Sequence, residues 1–72
     1  MSAESIKLML PILESQLREW KSAYYRDMPG VTYDDMATAA RRLLETRAAY
    51  ERASGRPVKT KITSKDIAAL LR

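Results

Sequence analysis

The chain contains no cysteine and no histidine. The first absence excludes disulfides, which small folds use as staples, and leaves the redox compartment undefined. The second removes the commonest general base and the commonest zinc ligand. A structural zinc site would have to rest on carboxylates, outside the usual N/S set. Nucleophilic catalysis needs a base placed beside Ser, Thr or Cys, and the usual base is missing. The two glycines stand alone, so there is no Gly-rich phosphate loop. Long apolar runs are also missing, and nothing approaches the ~18 residues of a membrane span. Glu4 precedes the apolar part of the opening segment, which makes it a poor signal peptide. The expectation is a cytoplasmic protein that is not an enzyme, with no cofactor, no metal and no membrane partner.

What remains is 72 residues, enough for one small domain spanning 1–72. A core this small supplies only a few kcal/mol of net stability. With disulfide and metal excluded, a second copy of the chain is the remaining reinforcement, and a homodimer is expected.

Two helix starts announce themselves identically. "VTYDDM" sets Thr32 as N-cap with Asp35 three residues on, and "ITSKDI" sets Thr63 with Asp66. Each is a capping box in which a hydroxyl and a carboxylate satisfy each other's backbone N–H. Each is bracketed by an apolar staple, Val31 with Met36 and Ile62 with Ile67. Pro29 and Gly30 suit the middle of a type II turn, so the first helix stops near Tyr25. Its apolar residues Ile6, Leu10, Leu13, Leu17, Trp20 and Tyr24 recur at 4, 3, 4, 3, 4. That is the seam of a packed helix pair. The period runs through Pro11, so the helix is expected to pass through it with a bend. Glu14 and Arg18 stand four apart as an ion pair outside the seam. The second helix, about 33–53, presents Met36, Ala37, Ala40, Leu43, Leu44 and Ala48, and Gly55 and Pro57 end it. The fold class is all-α. An antiparallel hairpin of about 4–25 and 33–53 is followed by an extended arm and a short helix over 64–71.

Helix one carries more apolar surface than one neighbour can cover. Ile6, Leu8, Met9, Leu10, Ile12 and Leu13 occupy most of its circumference. Leu8 and Ile12 share a face turned away from the seam, and two hairpins meeting there would form a helical bundle. Aromatic residues gather near the hairpin turn. There they serve as core closure or as the residue types enriched in binding hot spots. Leu8, Ile12, Trp20, Tyr24 and Tyr25 are therefore the candidate protein interface.

Charge is uneven. Residues 1–51 carry seven basic and eight acidic side chains, whereas residues 52–72 carry six basic and one acidic. Arg52, Arg56, Lys59, Lys61 and Lys65 are candidate contacts to an anionic partner. Within "PVKTKIT" the alternation of Val58, Thr60 and Ile62 with Lys59 and Lys61 reads as a half-buried extended segment. "TSKDIAALL" resembles the first helix of helix-turn-helix regulators. That pattern also requires a recognition helix, and no base-reading residue carries over. Small helical chains rich in Ala and Arg are of a type encoded by phages and mobile elements. The expected function is a non-enzymatic protein-binding module, a regulator, adaptor or inhibitor. The alternative is a nucleic-acid-binding accessory protein that uses the basic arm.

Overall fold

The computed structural model describes residues 2–58 and 61–72. Three helices account for its regular structure: α1 over Ala3–Tyr25, α2 over Tyr33–Ala53 and α3 over Ser64–Leu71. Among the described residues there is no strand. The all-α hairpin read from the sequence is present, with α1 and α2 packed along each other and α3 packed on α2.

The ends of each helix follow from local chemistry. Ser2 caps α1, its hydroxyl accepting from the Ser5 amide at 3.3 Å. Both predicted capping boxes close. The Asp35 and Asp66 amides donate to Thr32 and Thr63 Oγ1 at 3.3 Å each. Their Oδ2 atoms accept from the Thr32 and Thr63 amides at 2.9 Å. Aspartate, one methylene shorter than the usual glutamate, reaches in both places. The staples are in register, with Met36 and Ile67 buried over half-buried Val31 and Ile62.

Helices α1 and α2 stop by the same device with different residues. After α1, the Asp27 amide donates to the Tyr24 carbonyl and the Met28 amide to the Ala23 carbonyl. After α2, the Gly55 amide donates to Arg52 and the Arg56 amide to Glu51. Both patterns are Schellman motifs, which need a left-handed residue just past the cap. Gly55 meets that need with φ +79 and Asp27 with φ +55. The Val31 amide then bonds the Met28 carbonyl at 3.3 Å, with Gly30 at φ +83. This is the predicted type II turn.

Pro11 lies inside α1, which runs through it without ending. Proline lacks an N–H, so the Lys7 carbonyl loses its helical donor. Both residues are exposed, and water is free to supply that bond. Glu14 and Arg18 do not close the ion pair expected of them. The ion pair found among the described residues joins Arg56 to Glu51 at 3.5 Å.

The core is one cluster around α2: Leu17, Met36, Ala39, Ala40, Leu43, Ile67 and Leu71. Leu10, Leu13, Tyr24, Ala37, Leu44, Ile62 and Leu70 pack around it. Two sequence-based assignments shift. Ala39, left out of the α2 stripe, is buried. Trp20, placed in the α1 seam, is 40% exposed. Both follow from α2 having two neighbours. Ala39 sits with Gln16 and Trp20 on the α1 side, whereas Leu44 and Ala48 face Ala69 and Leu70 of α3. Trp20 lies about 50° off the middle of the α1 stripe at ~100° per residue.

Asp27 is doubly disfavoured, by its left-handed backbone and by a negative charge at the negative end of α1. Asp27→Gly should stabilise the protein by about 0.5–1 kcal/mol, and Asp27→Asn by less, since it removes only the charge. Gly55→Ala should destabilise by about 1 kcal/mol. A Cβ there meets nothing within 4 Å, so that loss is purely backbone strain. Thermal unfolding followed by circular dichroism measures all three.

Candidate protein-binding surface

The surface with surplus apolar area begins on α1. At 23 residues it is about 35 Å long, whereas α3 at eight residues is about 12 Å. Leu70 of α3 lies with Glu14, Leu17 and Lys21, and the last residues of α3 reach Lys21 and Tyr25. Helix α3 therefore attends the C-terminal half of α1 and leaves the N-terminal half to α2 alone. There Leu8 is 74% exposed, Ile12 59% and Met9 39%. An open depression of about 470 Å³ lies beside them, lined by Leu8, Leu10 and Pro11 with Glu4, Lys7 and Glu14 at its rim. Isolated exposed apolar residues are ordinary on soluble proteins. Leu8, Met9 and Ile12 are contiguous on one helix, and that is not.

The aromatic residues form a second locality. Tyr24 packs edge to face against Tyr25, with ring centres 5.3 Å apart, and against Tyr33 at 6.0 Å. Tyr24 is half-buried and closes the core at the turn, while Tyr25, Met28 and Tyr33 remain exposed. The Tyr25 hydroxyl donates to the main-chain oxygen of Leu71. One turn earlier, Lys21 Nζ donates to the main-chain oxygen of Arg72 at 2.9 Å. These i, i+4 partners place two donors on the carbonyl end of α3, where orphan acceptors and the negative end of the helix dipole await them. Trp20 stands apart, in a shallow cleft with Gln16, Asp35, Thr38 and Arg42.

The five interface candidates therefore fall in three places. Leu8 and Ile12 adjoin, Tyr24 and Tyr25 adjoin at the turn, and Trp20 occupies another side of the hairpin. Sequence reasoning did not single out Met9, Met28 or Tyr33. Met9 sits one residue from Leu8. Met28 and Tyr33 flank the turn, where a chain reversal leaves side chains few neighbours.

Of the cationic candidates, Arg52, Arg56, Lys61 and Lys65 are exposed, and Lys59 lies outside the described residues. Arg56 is engaged with Glu51, and its amide closes the α2 terminus. Lys65 sits on α3 away from the buried Ile67 and Leu71. Val58 and Ile62 are half-buried, as their alternation predicted. They line an open groove of about 380 Å³ between α2 and α3, with Leu44, Ala48 and Leu70.

The paired Asp34 and Asp35 serve the start of α2. Asp35 is committed to the capping box, and Asp34 is exposed in the first turn. Among the described residues no group of three His, Cys, Asp or Glu is placed to hold a metal ion. Among those same residues, no helix is long and apolar enough to cross a membrane.

Tyr25→Phe removes the hydroxyl that binds the end of α3 and leaves the ring in place. Stability should fall by about 0.5–1.5 kcal/mol, the worth of one such bond. The loss should concentrate in α3, seen as faster amide exchange there than in α1.

The chain matches no protein-family profile, no curated protein and no solved structure.

Proposed function

We propose that this chain is a non-enzymatic protein-binding module that acts as a regulator, adaptor or inhibitor of another protein. The observation that carries the reading is the continuous apolar surface on the N-terminal half of α1, which α3 is too short to reach. A second exposed group, Tyr25, Met28 and Tyr33, adds the residue types that dominate binding energy at protein interfaces. The side chains that suggested chemistry in the sequence have structural duties, Asp35 in a cap and Arg56 in an ion pair. The same reading includes self-association and a cytoplasmic setting. Apolar side chains laid along a helix are the ligand form of helix-in-groove recognition, with anchors at i, i+3 and i+4. Leu8, Met9 and Ile12 hold those positions as 8, 12 and the intervening 9.

Affinity capture from the native host with the tagged full chain tests this. A foreign protein should be retained at low and at high salt, because apolar burial does not weaken as ions are added. Recovery of the bait alone at every salt concentration would overturn the reading. Retention of nucleic acid that is lost steeply with salt would favour the basic arm instead, since phosphate contacts release counterions. Fluorescence anisotropy with an oligonucleotide at low salt separates the two directly.

A further inference from the structure

The occupant of the α1 face is identified by its sequence pattern and by the area left open. The outward side of α1 reads Ser5, Leu8, Ile12, Ser15, with spacings of 3, 4 and 3. This pattern is symmetric about position 10, and all four residues are exposed. A two-fold axis across the helix at that point sets Leu8 opposite Ile12 of a second copy, and Ser5 opposite Ser15. In an antiparallel pair, residues on one flank meet the same flank of the partner. Met9, one residue from the axis, then meets Met9 of the copy, and Pro11 meets Pro11 on the other flank. Near its edge Glu4 comes within a turn of Arg18, an opposite charge. An isologous interface must be complementary to itself. An uncharged apolar centre bracketed by small serines meets that requirement.

The area agrees. The chain exposes 5376 Å², whereas a folded monomer of 8.2 kDa is expected to expose about 4,500 Å². The surplus of roughly 850 Å² is close to the ~800 Å² that each partner contributes to a standard interface. The radius of gyration is 13.2 Å, against about 11 Å for a compact domain of this length. The extents of 41 × 23 × 15 Å describe a flattened rod.

We infer that the Leu8–Ile12 face of α1 docks antiparallel on the same face of a second copy, with the two-fold axis near Leu10, joining two hairpins into a bundle. The inference rests on the proposed function in treating this face as a docking surface, and it names the occupant.

The test uses purified full-length protein. Sedimentation equilibrium in the high micromolar range should give the mass of two chains. The double variant Leu8→Glu/Ile12→Glu should give the mass of one chain with its helical circular dichroism kept, because unpaired charge is excluded from an apolar contact. If that variant does not fold, cross-linking decides. The natural chain has no cysteine, so an introduced thiol has no competitor. Leu8→Cys protein mixed with Ile12→Cys protein and oxidised should yield chiefly the 8–12 cross-link, since disulfides demand Cβ atoms about 3.5–4.5 Å apart. A wild type that sediments as one chain overturns the inference. So does a folded double variant that remains dimeric, or cross-linking that favours 8–8 and 12–12, the mark of a parallel pair. Failure here leaves capture of a foreign protein untouched. Failure to capture one leaves the dimer untouched.

Discussion

The molecule depends on the apolar arc of α2 being shared. Met36 and Leu43 are the largest side chains completely removed from solvent, with Ala40 between them. Leu17 of α1 and Ile67 and Leu71 of α3 belong to the same cluster. The helices α1 and α3 meet each other mainly through α2 and through two side-chain bonds, from Lys21 and Tyr25. The small residues Ala39 and Ala40 let the backbones approach. Removing volume at Leu43 would therefore loosen both neighbours at once, because the cavity would open onto each of them.

That arrangement explains why α3 is ordered at all. Eight residues do not sustain a helix in water. Here the capping box at Thr63 and the staple of Ile62 on Ile67 fix its start. Burial of Ile67 and Leu71 fixes its face, and Lys21 and Tyr25 take up oxygens at its end. Each contribution is about a kilocalorie per mole or a few. The half-buried Val58 and Ile62 tie the arm to the same groove. The connector is thus part of the fold, and its cations project from an anchored segment.

The same geometry leaves half of α1 bare. A helix of 23 residues was matched to one of 21, which covers one side, and to one of eight, which covers part of another. Leu8 and Ile12 are costly to leave in water at about 25 cal/mol per Å², and the fold does nothing internally to cover them. An apolar face that a domain does not use for itself is the usual signature of an interface.

Much of this was legible in the sequence, because the signals are local. Two Thr-x-x-Asp boxes, two staples, Pro29–Gly30 and Gly55 act within a few residues. They delimited α1, α2 and α3 almost to the residue. The outward position of Leu8 and Ile12 followed from helical periodicity alone. Other features needed the tertiary structure. Alanine is indifferent enough in hydropathy that the α2 stripe could be placed too far toward Ala48, and only the positions of both neighbours showed Ala39 inside. Trp20 fitted the spacing of the seam but lies at its flank. The bonds from Lys21 and Tyr25 to the end of α3 span 51 and 46 positions. No periodicity encodes such a contact, since it depends on the angle at which α3 returns across α2. Helix identity was set by short-range chemistry, and the choice of exposed faces by how three unequal lengths pack.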